Sequence, residues 1–383
     1  MNHKAIRVNY WRRRISLLSV DNFMQKQRNI MLKGERISEL KRFPRTIRIA
    51  EPGDPDLDVL QLLPGKWKNT KKLLGRGYNM IALPFASSDF PFNYRLMINQ
   101  YNEVLNFTIV DKGVKNRGIS REGGIFNADQ VVVALDYEQH IKQSAADDFP
   151  NSGLAGGADL DIHHEPGLWL FMTNETDKRS SLARLASVPH GDSVLALGAG
   201  HVSNSAPVIP QISGLPTGVN AADKAAYLAP FDHFEQNPFK GNTTDPRYPG
   251  AHPGFAGFNP KDPSALLRNV IPGTIHRTTE LRVSTRLDSG GIVNIPFITK
   301  QANASEMNSI FWIVEAEEGH TRKTYLQYLQ VVTLDFFDRF FDEGNNRGDG
   351  MPGPAHWPHI SINTMEKVAG PNAEMIGGQP TPE

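Results

Sequence analysis

Residues Asp159 to Gly198 read DLDIHHEPGLWLFMTNETDKRSSLARLASVPHGDSVLALG, and this stretch decides the fold. Leu182 to Val188 and Ser193 to Gly198 alternate apolar with small or polar side chains, the two-residue period of a strand with one buried face. Between them, Pro189-His190-Gly191-Asp192 supplies the Pro and Gly of a tight reversal, so the two runs form an antiparallel hairpin with a histidine at its tip. Upstream, Leu168-Trp169-Leu170-Phe171 is a further apolar run, entered through His163-His164-Glu165-Pro166-Gly167. Imidazoles and a carboxylate therefore sit at the mouth of a strand. Neighbouring side chains on a strand point to opposite faces, so His163 and His164 cannot both point inward.

Working outward, the same alternation recurs on both sides of this hairpin. Before it, Gly75 to Pro84, Tyr94 to Ile98, Asn102 to Val110 and Val131 to Ile141 read as strands, and Ser144 to Gly157 as a polar, glycine-rich loop. After it, Thr274 to Leu287, Asn294 to Phe297, Met307 to Glu315, Thr324 to Phe336 and Trp357 to Met365 read the same way. In the first of these, Leu281, Val283 and Leu287 share one face and Glu280, Arg282 and Arg286 the other. Leu57 to Leu63 suits one short helix, and no interior helix is expected. The fold class is all-β: about ten antiparallel strands, enough to close into an up-and-down barrel that removes its edges and encloses a ligand.

Three segments stand apart from the barrel, which spans residues 51–368. The first, residues 1–50, is a basic arm; Met1 to Arg48 carries 13 Lys/Arg against 3 Asp/Glu, although the whole chain has no net charge. It lacks the apolar core of a secretory signal and reads as an organelle presequence, a solvated arm or an over-extended start. The second, Ala199 to Pro272, carries 11 prolines and Phe231, Phe234, Phe239, Phe255 and Phe258, which suit a packed aromatic lid inserted in the barrel. The third is a polar tail, residues 369–383.

Composition excludes several chemistries. The 383 residues contain no cysteine, so there is no disulfide framework, thiolate-ligated haem, Cys-type zinc site or cysteine nucleophile. The contiguous trio His163-His164-Glu165 cannot converge on zinc, because adjacent side chains on a strand diverge. Gly75-x-Gly77 lacks the following helix of a dinucleotide loop, and no Gly-x-Ser-x-Gly elbow marks a hydrolase. No nucleic-acid-reading module accompanies the basic arm. No apolar run is long enough to span a bilayer, so a soluble, cytoplasmic protein is expected unless the arm directs it to an organelle.

The order of several short motifs resembles a known family. Gly65-x-Trp67, Gly75-x-Gly77, Pro84, Tyr101-x-Glu103-x-x-x-Phe107, His163-x-Glu165-x-Gly167, a strand hairpin and then Pro358-His359-Ile360-Ser361-Ile362 are similar to nitrobindins, haem-binding barrels of the calycin group related to fatty-acid-binding proteins. The Pro-His-Gly hairpin and the length resemble a longer fungal and bacterial branch of that family. The resemblance covers roughly Pro64 to Gly198 and Thr274 to Lys367.

What the resemblance implies is a haem b site. His359, on the last strand, would be the axial ligand to iron; the other reading is a strand-end histidine beside Trp357 and Pro358. His163 would lie near the open iron face as the residue acting on a bound diatomic or peroxide, with Glu165 fixing its tautomer; otherwise both make structural hydrogen bonds. Trp169 and His190 complete the expected cofactor-binding set, against the plainer readings of a packed wall residue and an exposed turn residue. Ferric haem in such a site would bind nitric oxide, isomerise peroxynitrite or turn over peroxide. The alternative is a metal-free carrier of a fatty acid or other small apolar molecule.

Overall fold

The computed structural model describes residues 53–84, 94–120, 126–173, 180–188, 190–217, 224–300, 302–338 and 354–369. The basic arm and all but the first residue of the expected tail lie outside them. Among the described residues the strands are β1 (Gly65–Lys68), β2 (Gly77–Pro84), β3 (Tyr94–Ser120), β4 (Phe126–Phe149), β5 (Asp161–Met172), β6 (Leu182–Val188), β7 (Asp192–Ser203), β8 (Thr274–Ser284), β9 (Gly291–Asn294), β10 (Asn303–Glu318), β11 (Thr321–Asp338) and β12 (Pro354–Ala369). Two helices accompany them, α1 (Lys224–Gln236) and the single turn α2 (Pro296–Thr299).

Pairing is antiparallel throughout, and the sheet closes on itself as a ten-stranded barrel. Neighbours run from β3 through β4, β5, β6, β7, β8, β10 and β11 to β12. The tenth place is shared by β1 and β2, which each pair with both β12 and β3 at different levels. The chain leaves the sheet between them, and the Asn69 side chain stands in for the missing ladder. Its amide donates to the Thr364 carbonyl at 3.0 Å and its oxygen accepts from the Glu103 N–H at 2.8 Å. Likewise β9 pairs with the start of β7, where β8 has already ended.

Alternation sorts the side chains. Leu105, Phe107, Val133, Leu135, Trp169, Leu182, Leu281, Val283, Phe311, Ile313, Leu326 and Met365 fill the barrel, with Leu57, Leu60, Leu63 and Trp67 plugging one end. Leu57 and Leu60 come from a 3₁₀ turn, Pro55–Leu60, in place of the expected helix. The opposite phase forms a second apolar layer on the outside of β2, β3, β10, β11 and β12, and this the insertion covers. Phe231 and Phe234 of α1, with Phe239 and Phe258, are buried against Tyr78, Met80, Ile98, Trp312, Leu329, Ile360 and Ile362. The insertion thus buttresses an outer wall.

Several boundaries differ from those expected. Tyr94–Ser120 is one strand, because the polar break Asn99-Gln100 is satisfied within the sheet. Asn99 bonds Gln143, and the Gln100 amide donates to the Gly75 carbonyl and the Tyr78 hydroxyl. Ser144 to Phe149 belongs to β4, past a bulge, with Asp148 paired to Arg95. Pro296 starts α2, so the expected strand ends at Asn294, and Leu287 lies beyond β8. The close approach expected at Gly75-x-Gly77 is present: a Cβ on Gly77 would lie 2.3 Å from the Tyr101 ring.

Candidate functional site

The polar end of the barrel is built by the strand ends that carry the histidines. β6 and β7 are joined across Val188 and Asp192, with Gly191 at φ 110°, a conformation L side chains rarely adopt. Pro189 lies outside the described residues. His190, in this turn, lies over His163 of β5, the ring centroids 5.7 Å apart and the planes 25° from parallel. His163 and His164 diverge as the alternation requires. His163 is 20% exposed and meets Glu165, whereas His164 is 47% exposed on the outer face.

The third imidazole is His359 on β12. Register pairs His359 with Val332, Ser361 with Gln330 and Asn363 with Tyr328, all on the inner phase. Asn79 of β2 reaches across, its Nδ2 2.7 Å from His359 Nε2 and 3.1 Å from Ser361 Oγ. Burial lowers the His359 pKa to about 3, and His163 and His190 add to the effect. The ring is therefore neutral around pH 7, the form in which imidazole ligates a metal. His190 is an exposed residue at the rim, as the plainer reading of a turn histidine has it, and its pKa is lowered by partial burial and by His163, against the opposite pull of Asp192. Burial raises Asp192 in turn, and its Oδ1 is buried with no hydrogen-bond partner among the described residues.

Apolar side chains complete this end. Ile81 and Leu83 of β2, Met97 of β3, and Val332 of β11 share the inner phase with the histidines. Each is half-buried, whereas Leu57, Leu60, Leu63 and Trp67 at the plugged end are fully buried. The result is an apolar-walled mouth into which three imidazoles project from three separate parts of the chain.

Beneath the mouth lies a polar floor. Arg184 of β6 donates from Nε to Tyr137 Oη (3.0 Å), from Nη2 to Glu165 Oε1 (2.8 Å), and from Nη1 to Ser309 Oγ (3.0 Å) and Gln330 Oε1 (2.6 Å). Tyr137 also donates to Glu165. Burial alone would raise the Glu165 carboxyl, but Arg184, His163 and Tyr137 hold it at about 2. Glu103 forms the other half of the floor, accepting from Gln139 (2.7 Å), Tyr328 (2.7 Å) and Asn363 (2.8 Å). Burial raises its pKa, and these donors together with His163 offset part of that rise.

Of the expected residues, His163, His190 and His359 come together at the mouth, and Glu165 supports them from the floor. Trp169 does not join them. It lies on the plug side of the floor, its ring edge-on to Phe311 at 5.3 Å with the Arg184 guanidinium 5.9 Å away. Arg184, Tyr137, Gln139, Tyr328 and Asn79 were not singled out from sequence. Arg184 had a legible signal, a charge on the apolar phase Leu182-x-Arg184-x-Ala186; Asn79 had none. No protein-family model matches this chain, and a search of curated proteins finds no match.

Proposed function

We propose that this chain is a nitrobindin-like haem-binding barrel, in which His359 would hold the iron and the apolar-walled mouth would take the porphyrin. The observation that carries this reading is the convergence of His359, His163 and His190 on one apolar-walled opening, with His359 held neutral. The donor set fits the group. A neutral imidazole suits haem iron, its Nε2 exchanging the Asn79 N–H for the metal, and Ile81, Met97 and Val332 offer the apolar contact a porphyrin needs. Haem held there would supply an iron centre open to a diatomic or peroxide ligand. The protein's own part is positional. Glu165 accepts the Nε2–H of His163 and keeps that ring facing the mouth, while His190 stacks against it at the rim. Nitric oxide binding and peroxynitrite isomerisation are the activities the resemblance suggests.

The metal-free carrier of a fatty acid is the second reading. Among the described residues Arg184 is engaged by Glu165, Tyr137, Ser309 and Gln330 and Arg95 by Asp148, so a ligand carboxylate would meet the neutral donors or histidines of the mouth rather than a free guanidinium. Titration with haemin decides between the two. The haem reading expects a Soret band that saturates at one equivalent in the wild type and is lost or shifted in His359→Ala. Protein that stays colourless and instead binds a fluorescent fatty acid would establish the carrier.

A further inference from the structure

We infer that the outer face of β4 and β5 carries a second, separate site, for a divalent transition metal of the zinc class, formed by Glu138, His140 and His164. It follows from strand geometry. Glu138 and His140 are two residues apart on β4, hence on one face, and His140 is the cross-strand partner of His164 on β5. Three potential ligands therefore meet on a surface where two strands already fix their spacing. This differs from the contiguous trio His163-His164-Glu165, which the alternation drives apart.

The distances suit a metal. Glu138 Oε1 lies 3.1 Å from His164 Nε2 and 3.2 Å from His140 Nε2, and the three ligand atoms fall within 4.8 Å of one another. Zinc bonds of about 2.0–2.1 Å in a tetrahedron put neighbouring ligands about 3.3 Å apart, close to both Glu–His separations. The two imidazoles stack at 4.5 Å with planes 26° apart. Two nitrogens and one oxygen favour Zn²⁺, Co²⁺, Ni²⁺ or Cu²⁺ over Ca²⁺ or Mg²⁺, which prefer oxygen alone. Three protein ligands leave a fourth position for water or an incoming group. All three side chains are exposed, so an ion reaches them without opening the barrel.

The site stands independently of the haem reading, because His164 points outward where His163 points in. The test is titration of the full-length protein with Co²⁺, followed by the visible absorption of tetrahedral cobalt and displacement by Zn²⁺. The expected result is one site, weakened at least about tenfold by Glu138→Gln and abolished by His140→Ala with His164→Ala. It should be unaffected in His163→Ala or His359→Ala. Zinc should also raise the melting temperature of the wild type and leave that of the double variant unchanged, while the two proteins melt alike without metal. A wild type that binds cobalt no better than the double variant overturns the proposal. So does a cobalt site that survives the double substitution and disappears with His163→Ala.

Discussion

Asn79 and His359 are joined across the β2–β12 seam, the amide nitrogen 2.7 Å from Nε2 of the ring. That bond fixes the imidazole plane, and no hydrogen bond is made by the other ring nitrogen among the described residues. The amide nitrogen donates, so Nε2 is the accepting nitrogen of the neutral ring, Nδ1 carries the proton, and the lone pair an iron would need is the one Asn79 occupies. Asn79→Leu removes this competing donor and should therefore bind haemin at least as tightly as the wild type while preserving the barrel. Absorbance titration beside a circular dichroism melt checks both halves, and a loss of haemin affinity at unchanged stability would show that Asn79 supports the ligand rather than competing with it.

The outer wall should be energetically separable from the mouth. Phe258 of the insertion stacks on Tyr78, centroids 5.9 Å apart and planes 25° from parallel, and it is fully buried. Truncating a buried phenylalanine costs about 3–5 kcal/mol through lost burial and the cavity left behind. Phe258→Ala should lower stability by this amount in chemical denaturation. Haemin affinity should stay within about twofold, because Tyr78 faces outward and Asn79 inward. A large loss of affinity at unchanged stability would mean the insertion reaches the mouth after all.

The barrel was legible because alternation is a local signal with a two-residue period. The hairpin Leu182–Val188 and Asp192–Ser203 is nearly as its apolar phase and its Pro-His-Gly turn suggest. What alternation cannot show is a polar segment satisfied by distant partners. Asn99 and Gln100 interrupt the apolar pattern of β3, yet their bonds to Gln143, Gly75 and Tyr78 let the strand run through. The same limit applies to the site. His163, His190 and His359 were found as residues, but their meeting depends on closure of the sheet between β12 and β3. The floor beneath them is long-range too: Glu103 is held by Tyr328 and Asn363, more than two hundred residues away.

Acid should destabilise the fold in two steps of the same sign. His359 has a folded pKa of about 3 against an ordinary 6.5, so between those values the unfolded chain takes up a proton that the folded one refuses. Stability is thus greatest above pH 6.5 and falls as the pH drops toward 3. Glu165, held at about 2 against 4.5 by Arg184 despite its burial, adds stability that is lost as pH falls from 4.5 toward 2. Glu103, raised by burial, works in the opposite sense. The denaturant midpoint should therefore decline from pH 7 to pH 5, chiefly through His359 with a contribution of the same sign from His190, and His359→Leu should flatten most of this part of the profile. An unchanged slope in that variant would mean the ring is reached by water well enough to titrate normally.

The ion pair in the floor offers the sharpest measurement. Arg184 and Glu165 are each 2% exposed and 2.8 Å apart, and the guanidinium sits among the rings of Tyr137, Trp169 and Phe311. Removing one partner strands the other charge in a poorly solvated interior, which costs about 3–5 kcal/mol. Arg184→Met and Glu165→Gln should each show a loss of that order in denaturant unfolding. The double variant leaves no buried charge at this position, so its loss should be well below the sum of the two. Glu165→Gln alone should also disturb His163, since the carboxylate that accepts its Nε2–H becomes an amide. Arg184→Met leaves that carboxylate beside His163 and should disturb the ring less. Equal effects of the two single variants on a ligand bound in the mouth would show that the pair acts on it as one unit; a larger effect of Glu165→Gln would assign the coupling to His163.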